Sequence, residues 1–143
     1  MTIHQKLDEL RRWAREIEGY RERIAQMESA AELPGGSLNV RTGGGKPEDR
    51  MAANIAKLAE LREKLRYRVI CLERKRGNML LRISRLPPQQ RENIRMRYVE
   101  NRDWEEIARR TEYSIDHCYT IHRAALRRLA REEKWEARKE RAI

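Results

Sequence analysis

The chain has 143 residues, enough for one domain or for a small domain with an extended helical arm. Charged and hydrophobic residues each make up 39% and Phe is absent, which argues against one large globular core and for long helices that each bury a narrow stripe. A net charge of +10 and a pI near 10.1 favour a polyanionic partner, nucleic acid or an acidic membrane surface.

No stretch approaches the roughly 20 apolar residues of a membrane span, and the opening MTIHQKLDEL lacks the apolar run of a signal peptide. Cys71 and Cys118 lie in helical patterns and form no C-x-x-C, as expected of small core residues in a reducing compartment. A cytoplasmic location is expected, with no membrane partner.

Residues 1–32 form the first predicted segment, a coiled-coil-like helix over 2–31. Ile3, Leu7, Leu10, Ala14, Ile17 and Ile24 follow the three-four spacing of a coiled-coil seam. Arg21 and Glu28 interrupt the seam, while Trp13 and Tyr20 lie to its side and widen it. Residues 33–47, LPGGSLNVRTGGGKP, hold five of the seven glycines and are expected to be a flexible linker. Gly45-Lys46 does not complete a phosphate loop, because Val40 stands where the first Gly belongs and Pro47 replaces the Ser or Thr.

Residues 48–85 form the second segment, a long basic helix over 48–84. Pro47 suits a helix entry and Glu48-Asp49 suit its positive end. Met51, Ile55, Leu58, Leu61, Leu65, Val69, Leu72, Met79, Leu80 and Ile83 make its apolar stripe. Two such helices predict an antiparallel hairpin within one chain or a pairing between chains, giving a homodimer. Between Arg62 and Arg85 stand nine Lys or Arg against two Glu. Arg74, Lys75, Arg76, Arg82 and Arg85 are candidate phosphate contacts that add salt-sensitive affinity without specificity. The plainer alternative is a solvated face partly paired with Glu16, Glu18 and Glu22. Gly77-Asn78 is a weak point in the helix, and Pro87-Pro88 ends it at Leu86.

Residues 86–143 form the last segment. Gln89–Val99 is a short helix with Ile94 and Tyr98 inward. Asp103 and Glu106 have capping-box spacing, and Trp104, Ile107, Ala108 and Thr111 recur on one face of a second short helix. A turn follows at Glu112-Tyr113, and Ser114 caps a longer helix by accepting from the N–H of Asp116 or His117. Cys118, Ile121, Ala125 and Leu129 form its inner stripe, and Asp116, Tyr119, Thr120, Arg123 and Arg127 fall on the opposite face. This is the order of a helix-turn-helix, whose second helix enters the DNA major groove. The expected DNA-binding residues are Ser114, Ile115, Asp116, His117, Tyr119, Thr120, Arg123, Arg127 and Arg128. Arg can bridge guanine O6 and N7 or pair with phosphate, and Thr and Tyr can bond a phosphate or a base edge. The competing account is a solvated helix with scattered charges. The tail from Arg131 to Arg141 is expected to extend the last helix and fray outward, with Trp135 free to pack on a partner or to cover the helix.

No catalytic constellation stands out, so no enzyme activity and no cofactor are expected. Cys118, His117 and His122 cluster within a turn, but a zinc site needs three or four converging ligands, and no metal is expected. His117 or His122 can contact phosphate or a base.

The stretch YVENRDWEEIA at 98–108, with Arg97-Tyr98 ending the preceding helix, and YSIDHCYTIHRAALRRL at 113–129 resemble region four of the housekeeping-type bacterial sigma factors. The helical first half followed by this module is similar to small phage and prophage late-gene transcription regulators of the ArpU and RinA type. Glu112 stands where that family usually has Gly, Thr111 where a buried Leu is usual, and Asn101 at the other frequent Gly position. Ile115 and His117 stand where sigma factors often carry Arg, so the module carries over and its promoter preference does not. The resemblance implies an all-α protein, a long helical hairpin or coiled-coil arm followed by a C-terminal helix-turn-helix domain. It implies a sequence-specific DNA-binding transcription regulator of phage or prophage origin, with double-stranded DNA and RNA polymerase as partners, while the stripes of the long helices offer a second copy of the chain. Two alternatives stay open. One is a DNA-packaging adaptor resembling a small terminase subunit. The other is a polymerase-binding module without DNA binding of its own.

Overall fold

A computed structural model of the chain describes residues 1–32 and 46–142; of the linker expected at 33–47, residues 33–45 lie outside the described residues, and Pro47 already belongs to a helix. The described residues form five α-helices and no strand: α1 (Ile3–Glu32), α2 (Pro47–Ser84), α3 (Pro88–Ile94), α4 (Trp104–Thr111) and α5 (Ile115–Arg141). An all-α chain with a C-terminal helix-turn-helix is what the periodicities predict.

The boundaries have local causes. At the start of α1, the Thr2 hydroxyl accepts from the Gln5 N–H (3.2 Å) while the Gln5 amide oxygen accepts from the Thr2 N–H (2.8 Å). This reciprocal capping box satisfies two otherwise orphaned donors. Pro47 opens α2 with Glu48 and Asp49 in its first turn, as expected. The helix runs unbroken through Gly77, where the weak point was expected, and stops at Ser84. Its last turn tightens as the N–H groups of Arg85 and Leu86 donate to the carbonyls of Arg82 and Ile83, and Pro87 then blocks continuation. Beyond α3 the helix widens into one π-helical turn, Arg95–Val99, with the Glu100 N–H donating to the Arg95 carbonyl at 2.9 Å. Asn101, at φ 56°, closes it.

The chain divides into two compact units that cut across the segments expected from sequence. The larger comprises Met1–Ala14 and Lys75–Ile143, and the smaller Arg15–Arg74. The larger unit buries Leu7 and Leu10 of α1, Met79 and Ile83 of α2, and Leu86, Ile94, Tyr98, Ile107, Cys118, Ala125 and Leu129. The first turns of α1 are therefore part of the core around the helix-turn-helix, as are the last turns of α2. The Asn93 side chain, also buried, donates from Nδ2 to the Cys118 carbonyl and ties α3 to α5.

The tail of α5 does not fray as expected. It is helical to Arg141, and two of its acids are held: Glu133 by Lys6, and Glu136 by Arg82 at 2.6 Å and Arg85 at 3.7 Å. Burial and the nearby Arg82 both lower the pKa of Lys6.

In the smaller unit α1 and α2 run antiparallel within one chain. Arg21 pairs with Glu73, Arg66 with Glu28 (2.6 Å), and Arg68 donates to the Tyr20 hydroxyl (3.1 Å). Ile17, Leu65 and Val69 are buried between them. The expected stripe fails at its start: Met51, Ile55 and Leu61 are 63%, 59% and 38% exposed. The register is the reason. With Glu28 against Arg66, the part of α2 before about Arg62 has no described α1 residue opposite it.

Candidate nucleic-acid interface

α4, the turn and α5 are set by two caps. The Asp103 carboxylate accepts the Glu106 N–H at 2.8 Å, and the Ser114 hydroxyl accepts the His117 N–H at 3.1 Å. Only half of the box predicted at Asp103 forms. Glu106 turns its carboxylate to Arg102 at 2.6 Å and Arg110 at 3.4 Å, because two nearby guanidiniums attract it more strongly than one backbone N–H.

The turn itself is held from several sides. Glu112 adopts the left-handed conformation, φ 61° and ψ 22°. On one side of it, the Thr111 hydroxyl donates to the Ile107 carbonyl at 2.7 Å and lies 3.8 Å from Cys118 Sγ. On the other, the Tyr113 hydroxyl accepts from Gln89 Nε2 at 2.8 Å, and its ring meets His117 edge-on at 4.8 Å.

α5 then divides as its spacing predicts. Cys118, Ile121, Ala125 and Leu129 are buried, and Ser114, Ile115, Asp116, His117, Tyr119, Thr120, Arg123, Arg127 and Arg128 are all exposed. Asp116, Thr120, Arg123 and Arg127 share one outward face, directly opposite the buried stripe. Arg128 lies on the flank between the two. The Thr120 hydroxyl donates to the Asp116 carbonyl at 3.1 Å, which leaves its lone pairs outward. Tyr119 leans on Trp104, with ring centroids 4.8 Å apart, and so belongs partly to the scaffold. Among the described residues, neither Arg123 nor Arg127 forms an ion pair within the chain. Exposed Arg109, near the end of α4, adds a cation that sequence reasoning passed over.

His122 is not an outward contact. It is buried, its Nε2 and the Tyr98 hydroxyl share a 2.7 Å hydrogen bond, and Trp104 meets it edge-on at 4.9 Å. Burial, with the positive fields of His4 and Arg97, pushes its pKa down to about 4, and burial lifts Tyr98 to about 12. The imidazole is therefore neutral at physiological pH, a core group that steadies α5 from below. Arg97 stacks over Trp104 at 5.0 Å on the same cluster. His122 sits one step off the Cys118–Leu129 stripe, and that position was the signal for its burial.

The candidate phosphate contacts differ in availability. Arg74 and Lys75 are exposed and Arg76 is half-buried. Arg82 is the most committed, its side chain 20% exposed against Glu136, and Arg85 faces the same acid. No cluster of His, Cys, Asp and Glu fit to hold a metal occurs among the described residues, and none of their helices is long and apolar enough to cross a membrane.

Residues 76–129 match the family model for sigma-70, region 4. The match begins inside α2, close to where the larger compact unit resumes, so the last turns of α2 belong to the module. Neither the curated proteins nor the solved structures include a match to this chain. The region-4 match covers the helix-turn-helix and suggests a DNA-binding function related to transcription regulation.

Proposed function

We propose that this chain is a sequence-specific DNA-binding transcription regulator of phage or prophage origin, reading the major groove with the start of α5. The observation that carries it is the outward face of Asp116, Thr120, Arg123 and Arg127, unpaired in its arginines and backed by a rigid core. An Arg in that position reaches guanine O6 and N7, and Asp116 can accept from a cytosine amine. Ser114, Ile115, His117 and Tyr119 flank this face at the helix start, where a recognition helix meets base edges. Arg127, Arg128, Arg109, Lys75 and Arg76 supply phosphate contacts. The region-4 match supports RNA polymerase as a second partner, and the order of long helices before this module supports the phage-regulator assignment. A second copy, held through the long helices, lets two such faces read two half-sites.

The test is selection from a random duplex DNA pool by the full chain at physiological salt. An enriched motif is the expected result. Retention without enrichment removes the sequence reader and leaves a DNA-packaging adaptor. No retention removes stand-alone DNA binding altogether. On the enriched site, Arg123→Ala is expected to cost about 1–3 kcal/mol, roughly 5–150-fold, with a smaller loss on random DNA. Equal losses on both would take Arg123 out of direct readout.

A further inference from the structure

In the smaller unit, α2 has two unlike faces. Leu65 and Val69 lie on the covered one. On the opposite side Glu63, Tyr67, Ile70 and Arg74 follow at steps of four, three and four, which align them on one face. Tyr67 is 69% exposed and Ile70 53%, and both flanking charges are exposed. Ala56 and Ala59 continue the face with side chains small enough for close helix approach. Two large apolar side chains side by side on a solvent face, bracketed by opposite charges, make a surface that matches its own reverse.

We infer that this face binds the same face of a second copy of the chain, the two α2 helices running antiparallel about a two-fold axis between Arg68 and Val69. The inference rests on the homodimer proposed above and adds its surface and register. The midpoint of Tyr67 and Ile70 coincides with the midpoint of Glu63 and Arg74. An antiparallel copy therefore sets Tyr67 against the partner's Ile70 and Glu63 against the partner's Arg74, each contact occurring twice. A parallel pairing in register would put Glu63 on Glu63 of the partner subunit and Arg74 on Arg74 of the partner subunit, and like charges reject that arrangement. Glu63 is lightly engaged in its own chain, by Arg66 at 2.9 Å in an exposed pair of the kind that contributes little. Arg74 forms no ion pair among the described residues, and it passes from the phosphate contacts to the dimer face.

Charge exchange in the full chain tests this, read by sedimentation equilibrium without DNA, with circular dichroism to check folding. Glu63→Arg alone and Arg74→Glu alone each place like charges at two symmetric points, and each is expected to weaken dimerisation about tenfold or more. The double variant Glu63→Arg with Arg74→Glu is expected to return to within about threefold of the wild type. A contact inside one chain cannot produce that rescue, because eleven residues of helix separate the two side chains by roughly 16 Å. A phosphate role for Arg74 cannot produce it either, since no DNA is present. A wild-type dimer indifferent to the single changes, or a double variant no better than the singles, would overturn the face and register while leaving a homodimer standing. A wild-type monomer up to tens of micromolar would remove the homodimer as well.

Discussion

The two compact units are held together by different means. The larger one has a contiguous apolar core in which Leu7, Ile83, Ile94, Ile107, Cys118 and Leu129 are fully buried, each large aliphatic side chain contributing about 1.5–3 kcal/mol. In the smaller one only Ile17, Leu65 and Val69 are buried hydrophobics among the described residues, and exposed pairs such as Arg66–Glu28 link the helices. Exposed ion pairs contribute about 0–1 kcal/mol each. The larger unit thus anchors α5 through its own apolar core. Among the described residues, the other leaves Met51 and Ile55 exposed on one face of α2 and Tyr67 and Ile70 exposed on the opposite face.

Matched truncations should separate the two units most sharply. Ile107→Ala, at a side chain with no exposure, is expected to cost about 2–5 kcal/mol. Ile55→Ala, the same chemical change at an exposed position, should stay within about 0.5 kcal/mol. Urea unfolding of the two variants at a concentration that keeps the chain monomeric checks the contrast. Similar costs would mean that Ile55 is covered in solution.

The same contrast governs what could be read from sequence. The α5 stripe Cys118, Ile121, Ala125, Leu129 was legible because one face of one helix is a local property, and the caps at Asp103 and Ser114 were legible for the same reason. Partners remote in sequence were not. Nothing in the spacing of α1 says that Leu7 and Leu10 join the core around the helix-turn-helix while Ile17 pairs with the middle of α2. Nor does it show that Arg82 meets Glu136, fifty-four positions away, or that His122 turns inward to Tyr98. For the candidate site, the exposure of Arg123 and Arg127 follows from periodicity, whereas the commitment of Arg82 and Arg85 to acids on α5 depends on tertiary packing. On α2 the periodicity placed Met51 and Ile55 on the right face, but their burial depended on how far α1 reaches.

The buried imidazole of His122 gives the larger unit a pH dependence that its polar content alone would not suggest. Its pKa is about 4 in the folded chain against an ordinary value of 6.5. A depressed pKa means that the unfolded state binds the proton first as the pH drops. The stabilisation is complete above about pH 6.5, is lost as the pH falls through about 4, and amounts to the order of 3 kcal/mol. Stability of the wild type should decline over that window, and in His122→Gln, which keeps a partner for the Tyr98 hydroxyl, that share of the decline should vanish. Denaturant unfolding from pH 7 to pH 4 checks it. An unchanged slope in the variant would assign the acid sensitivity to the carboxylates.

The smallest expected effect concerns strain. Both non-glycine residues with positive φ among those described, Asn101 and Glu112, lie in the larger unit, where neighbouring contacts can hold them there. Asn accepts the left-handed conformation readily, whereas Glu does so at a cost of about 1–2 kcal/mol. Glycine removes that cost but enlarges the unfolded ensemble, at about 0.4–1 kcal/mol. Glu112→Gly is therefore expected to gain about 0.5–1 kcal/mol, a rise of roughly 2–5 °C in Tm, and Asn101→Gly to gain nothing. Thermal unfolding of the two variants side by side checks the difference. If Glu112→Gly lowered Tm, the contacts on either side, Thr111 to Ile107 and Gln89 to Tyr113, would be holding a turn with no strain to release. In that case those two contacts fix the turn, alongside the buried stripe and the Asn93 and His122 hydrogen bonds that fix α5.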